Sequence, residues 1–349
     1  MATTSYGVNH PLAVKLWSRK LFQEALKQCW MSKFMGNDSG AMIQVMSETS
    51  KGPGDRITVG LRMQLSGSGV QGDGTLEGNE EALTTNSDNL LINQLRHAVK
   101  SEGKMSEQRV PFSVREEARK GLTDWWADRI DASLFNQLAG NTGISDTKYT
   151  GNNATTAPDA NHIYYANGLV NETQVASASA SNVFKLKFLD YAKERAKTMS
   201  PMIRPLKING EDKYVAFLHP YQVTDLRTDA STAGNWYDIQ KAALQGGKVS
   251  DNPIYSGALG EYNGIILHES TRVPTVTAGV YRSILCGAQS GLFAYGQDNS
   301  DQKMSWVEKL FDYDNQLGVS AGMIFGAKKT VFNGADFGTI VIATYGAQH

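Results

Sequence analysis

Apolar residues first recur with helical spacing in residues 11–35. Leu12, Leu16, Leu21, Phe22, Ala25 and Cys29 share one face, behind a proline (Pro11) suited to a first helical turn. Gly36, Asn37 and Asp38 end that helix, and residues 36–55 are polar apart from Met42 to Met46. An amphipathic helix followed by loose polar chain predicts an N-terminal arm over 1–55. The plainer reading is a first helix packed on its own domain.

The pattern then changes to period two. Ile57, Val59, Leu61, Met63 and Leu65 alternate with Thr58, Gly60, Arg62 and Gln64, which predicts a strand over 56–65. A second strand is expected from about Asn89 to Lys100. The chain between them is rich in glycine and acid, too long for a tight turn and too polar for a core. Such a segment predicts a two-stranded projection with an acidic tip.

Helical spacing returns at 113–139, through Val114, Ala118, Leu122, Trp125, Ile130, Leu134 and Leu138. Ser113 and Glu116 spell a capping box, and Gly140 is placed to end the helix. Such a helix is a rod of ~40 Å. Residues 141–183 show no period and read as a polar surface insertion. Beyond them, helices are expected at Phe184 to Met199, Tyr221 to Thr228 and 236–245. Strands are expected at Tyr214 to Leu218, Gly264 to His268, Val280 to Cys286, Leu317 to Phe325 and Thr339 to Tyr345. The absence of a regular βαβ rhythm argues α+β.

Composition narrows the function. The 349 residues carry 34 Lys and Arg against 35 Asp and Glu, so the formal charge of −1 weakens a nucleic-acid binder. The imbalance is local: from Gln64 to Asn89 there are five acids (Asp73, Glu77, Glu80, Glu81, Asp88) and no Lys or Arg. Cys29 and Cys286 are too few and too far apart for a disulfide framework or a cysteine metal site. No apolar run approaches the ~18 residues of a membrane span, and no signal pattern opens the chain, so a soluble, cytosolic product is expected.

No catalytic motif withstands inspection. Gly67, Gly69 and Gly72 follow a strand in G-x-G-x-x-G spacing, but acids follow where a phosphate-binding helix should begin. Asp336-Phe337-Gly338 matches a kinase triplet, yet no catalytic loop precedes it and no lobe follows, so it reads as a turn into the last strand. The six histidines lack metal-site spacing, and His219 in HPY reads as a turn or core residue. No catalytic, cofactor or metal residues are assigned, and no enzyme activity is expected.

Three long phrases carry a resemblance. They are GDRITVGLRMQLSGSGVQGDGTLEGNEEAL with its continuation to Gly140, NPIYSGALGEYNGIILHESTRVP at 252–274, and GMIFGAKKTVFNGADFG at 322–338. In this order, they resemble the major capsid proteins of podovirus-type tailed bacteriophages. The resemblance implies the tailed-phage capsid fold. Its parts here would be an arm (1–55), an extended loop (56–110) and a peripheral domain (111–199) with the spine helix at 113–139. An axial domain (200–290) and a return to the peripheral domain (291–349) would follow.

It also implies hexamers and pentamers closing into an icosahedral shell around double-stranded DNA. Partners would be the chain's own copies, a portal, a separate scaffolding protein and, in some shells, a cement protein. DNA contact would be loose, with assembly in the host cytoplasm and no membrane. The acidic residues Asp73, Glu77, Glu80, Glu81 and Asp88 would dock on a neighbour's basic surface around Arg109, Arg115, Arg119 and Lys120. Some relatives lock their shells with Lys–Asn bonds from a loop lysine, but this loop has no Lys between Lys51 and Lys100. Bacterial nanocompartment shells of the same fold are the alternative reading, and a small-molecule enzyme is a more distant one.

Overall fold

The computed structural model describes residues 21–46, 55–62, 65, 67–83, 85–177, 181–208, 210–229, 259–296 and 303–348. Residues 1–20 of the expected arm and the helix expected at 236–245 lie outside them. Among the described residues the chain builds two main sheets and one long helix.

The first sheet has six strands. Its path runs Met35–Gly36, Ile43–Met46, Gly291–Tyr295, Gln316–Lys329 and Met304–Phe311, with Asn93–Lys100 also paired to Gln316–Lys329. The long Gln316–Lys329 strand alternates, and Val319, Ala321, Met323, Phe325 and Ala327 are buried in the main core with the helix Val114–Leu138. The second sheet has seven strands around Glu211–Leu218, Val280–Cys286 and Thr339–Tyr345. The helix Leu186–Thr198 shares its core on one face. Phe217, Ile284 and Cys286 on its other face join the core under the long helix, so one apolar cluster links both sheets.

Ser113 occupies the N-cap of Val114–Leu138, but its side chain makes no capping hydrogen bond, so the expected capping box does not form. The other end is closed twice. Gly140 is left-handed (φ 61°), Gly140 N–H donates to Gln137 O and Asn141 N–H to Asn136 O, the paired bonds of a Schellman motif. Arg282, buried on its strand, donates to Ala139 O (3.1 Å) and Gly140 O (2.6 Å), placing a cation on the negative end of the helix dipole. Its Nε meets Glu172 at 2.5 Å, and both side chains are buried.

Three expectations are corrected. Residues 21–46 are not an arm ahead of the core. Leu21, Ala25, Cys29, Met31, Met42 and Ile43 are buried within it, and Ile43–Met46 is an inner strand. Asp131 of the long helix fixes this segment by accepting from Cys29 Sγ (3.0 Å), Trp30 N–H (2.9 Å) and Met31 N–H (2.9 Å). Burial, with Asp131 beside it, raises the Cys29 thiol well above its ordinary range.

Residues 141–183 are not a surface insertion either. They contribute the strand Ile163–Tyr165 and buried Asn141, Thr150, Asn153, His162, Glu172 and Asn182. Asn153 acts as a piece of backbone: Oδ1 accepts from Leu91 N–H (2.9 Å), and Nδ2 donates to Leu91 O (2.9 Å) and Ala327 O (3.2 Å). The strand expected from Asn89 to Lys100 is two strands, Thr85–Leu91 and Asn93–Lys100, broken at Ile92. The first pairs with Arg56–Arg62 and the second with the six-stranded sheet.

Candidate assembly surfaces

The projection expected at 56–110 begins as the hairpin Arg56–Arg62 with Thr85–Leu91, in register from Arg56↔Leu91 to Arg62↔Thr85. Ile57, Val59 and Leu61 are half-buried while Thr58 and Gly60 are exposed, as alternation requires. The base is anchored through buried Leu90, which packs with Leu292 and Ala294. The hairpin has no core of its own beyond that.

At the tip, residue 65 and residues 67–83 are exposed throughout. Leu65, Leu76 and Leu83 are 58%, 62% and 59% exposed. Three leucines open to water on one short segment indicate a surface meant to be covered. Glu80 accepts from Gly78 N–H (2.7 Å) and Glu81 from Gly67 N–H (2.6 Å), so two of the acids shape the loop. Asp73 and Glu77 lie on its exposed surface.

The structure does not keep the predicted acidic and basic sets intact. Asp88 is buried at the hairpin base, ion-paired with Lys328 and accepting from Val331 N–H (3.1 Å). It holds the subunit together and leaves the tip group. Arg115 pairs with buried Glu308 (2.7 Å), and Arg119 pairs with Glu24. Exposed Lys120 pairs with Glu117 (2.7 Å), whose hydrogen bond and charge raise the lysine's pKa. Arg109 is exposed after the short helix Lys104–Gln108. The structure thus engages Arg115, Arg119 and Lys120 within the chain.

A basic surface that the sequence reading missed lies on the outer face of the six-stranded sheet. Lys309, Gly318 and Lys100 stand side by side across three strands, followed by Val307, Ser320 and Ala98, then Ser305, Gly322 and Arg96. Arg96, Lys100, Val307, Lys309 and Phe311 are exposed. Two ammonium groups approach the Phe311 ring, Lys100 Nζ at 4.9 Å and Lys309 Nζ at 5.1 Å from its centroid. Alternation in 305–311 and 318–322 could have revealed one face, but only strand pairing brings Lys100 beside it.

The motifs set aside as chemistry take structural places. Residues 73–83 after the glycine run contain no helix. Asp336 forms a fully buried ion pair with Lys329, Nζ to Oδ1 2.7 Å, beside the Val331–Phe332 and Ala335–Asp336 hairpin. Desolvation lowers the Lys329 pKa and raises that of Asp336. His219 Nδ1 accepts from Tyr221 N–H (3.3 Å) at the start of the helix Pro220–Thr228, and its ring stacks on Tyr281 at 4.0 Å. Burial lowers its pKa to about 4. Among the described residues no cluster of His, Cys, Asp and Glu could hold a metal ion, and no helix is long and apolar enough to cross a membrane.

Residues 4–348 match the family model described as phage capsid protein. A major capsid protein of Pseudomonas phage KPP25 is 32% identical over 367 aligned residues, covering 93% of each chain. The solved capsid of Ralstonia phage GP4 is 31% identical with a TM-score of 0.77, covering 99% of each chain. The capsid of cyanophage Pam1 shares the fold at 20% identity, with a TM-score of 0.75 over all of this chain and 95% of that one. All three relatives are phage capsid proteins, so the enzyme-enclosing compartment is not favoured.

Proposed function

We propose, for a chain that belongs to the phage capsid protein family and is a phage major capsid protein, that its copies form hexamers and pentamers of an icosahedral shell around double-stranded DNA. The observation that carries the assembly reading is the projecting hairpin. Its tip is acidic, exposes three leucines and has no core of its own, so another copy must cover it.

The same reading makes the protein structural and not an enzyme, with assembly in the host cytoplasm. A portal and a separate scaffolding protein would act with it, a cement protein in addition where the shell needs one, and DNA would be held loosely. The domain roles keep their expected names but not their expected bounds. The hairpin and the long helix belong with the six-stranded sheet as a peripheral unit, and the seven-stranded sheet is the axial unit, which takes Ile163–Tyr165 and Thr339–Tyr345 from the segments 111–199 and 291–349 expected to be peripheral. Near-neutral charge suits a wall that encloses DNA without gripping it.

Electron microscopy of the purified protein tests this. Closed shells or rings of five and six subunits are expected. Uniform small particles with no ring or shell would overturn it.

A further inference from the structure

Lys329 and Asp336 hold an amine against a carboxyl group where solvent cannot reach. Each side chain is 1% exposed, and Lys329 Nζ lies 2.7 Å from Asp336 Oδ1 and 2.8 Å from Oδ2. The nitrogen is nearly equidistant from the two oxygens, so it faces the carboxyl carbon between them, the atom that an amine attacks. Its remaining bond goes to Thr156 O at 3.0 Å. Holding two reacting groups this close replaces an encounter between molecules and removes much of the barrier.

The backbone around the pair is fixed on both sides. Lys329 ends the strand Gln316–Lys329, and the hairpin that follows pairs Val331 with Asp336 and Phe332 with Ala335. Phe337 N–H donates to Thr330 O at 3.2 Å, which extends the pairing to the residue beside Lys329. From outside the hairpin, Asp159 Oδ2 accepts from Asp336 N–H at 2.9 Å and bonds His162 Nδ1 at 2.7 Å.

A buried ion pair is a weak source of stability, because desolvation offsets the attraction. Desolvation here favours the uncharged forms, lowering the Lys329 pKa and raising that of Asp336. A desolvated lysine amine is a nucleophile. We propose that Lys329 Nζ and Asp336 Cγ join in an amide bond within the folded subunit. One ammonium proton passes to an Asp336 oxygen, giving amine and carboxylic acid. The nitrogen attacks Cγ, one Cγ–O bond breaks, and the leaving hydroxyl takes a second proton from nitrogen to depart as water. The amide keeps the third proton. Nothing is oxidised or reduced, and no co-reactant is consumed. Exclusion of solvent from the site opposes hydrolysis of the product. The bond closes a ring through one hairpin of one chain, so it links no two subunits and does not rest on the capsid reading.

Mass spectrometry of the purified, denatured chain tests the bond. The whole chain should be lighter than its sequence by one water. Trypsin locates the loss, because it cuts after a free lysine but not after an acylated one, and no Lys or Arg follows Lys329. The linked chain should yield residues 329–349 as one peptide short of one water. Release of residues 330–349 at full mass would show an ordinary ion pair and overturn the proposal. A water lost instead at Asp73-Gly74, as a cyclic imide, would leave that terminal peptide normal and overturn it equally. Asp336→Asn should lose ammonia in place of water and reach the same product. Lys329→Arg keeps the ion pair without the amine and should show its full sequence mass; a C-terminal peptide still short of water in that variant would contradict the assignment.

Discussion

Arg282 joins three parts of the chain through one guanidinium. It ties a central strand to Glu172 in the segment after the long helix and to the last carbonyls of that helix. Removing one partner of a buried pair leaves the other charged and unsolvated, at a cost of about 3–5 kcal/mol. Arg282→Met should lower subunit stability by that amount in urea denaturation. Glu172→Gln added to it should restore part of the loss, because Thr277 Oγ1 still donates to that side chain. A single-variant cost below about 1 kcal/mol would contradict the linkage. His219 acts on a different variable. Burial holds its folded pKa at about 4, against an ordinary 6.5. The unfolded chain therefore binds the extra proton between those values, and stability is complete above about pH 6.5 and falls as pH drops toward 4. The limiting slope is roughly 1 kcal/mol per pH unit. His268, also lowered by burial and by Lys33, contributes in the same direction. His219→Asn keeps a capping acceptor and removes the titration, so its melting temperature should fall less between pH 6.5 and 4. Equal falls would show that His219 does not titrate with unfolding.

The long helix makes the clearest case among the elements, because two of its glycines predict opposite outcomes. Gly140 is left-handed, and a Cβ there would lie 2.6 Å from Thr156 O and 2.7 Å from Pro158 Cδ. Gly140→Ala should lose ~1–2 kcal/mol to backbone conformation and a further ~1–3 kcal/mol to overpacking. Gly121 is inside the helix, and a Cβ there would meet nothing within 4 Å, so Gly121→Ala should gain about 0.5–1 kcal/mol. Thermal melts of the two variants check both signs. The helix is readable because its apolar face and terminal glycine are local signals. The strands Val280–Cys286 and Thr339–Tyr345 are readable to the residue for the same reason. Met304–Phe311 escapes the pattern because Glu308 occupies an inward position beside Met304 and Trp306, so the alternation is broken by a buried carboxylate. Residues 141–183 mislead because most of what they bury is polar, such as Asn141, Thr150, Asn153 and Asn182 held by hydrogen bonds, and the few buried apolar residues (Ile163, Ala166, Val175) are too scattered to form a pattern. The acidic tip is legible as a run of like residues. Its basic counterpart is not, since Arg96, Lys100 and Lys309 meet only through strand register.

At the scale of the whole molecule, the near-zero charge conceals a strongly polarised subunit. The tip carries four acids without a cation, while the sheet face at the far end of the adjoining strands is basic. A shell in which another copy covers the tip would be held without covalent bonds there, since no lysine lies between Lys51 and Lys100 to form an amide. Lys328, bonded to Asp88 of the hairpin, and Lys329, paired with Asp336, are already engaged inside the subunit. Shells boiled in denaturant should therefore run as single chains of 38.1 kDa on a gel. The tip contact should also weaken with salt, because charges at an exposed interface are screened over about 10 Å at 0.1 M and about 3 Å at 1 M. Shells moved to 1 M salt should release subunits faster than shells at 0.1 M. A ladder of covalent multimers would overturn the first expectation. Release rates independent of salt would mean that leucine burial, and not charge, holds the tip in place.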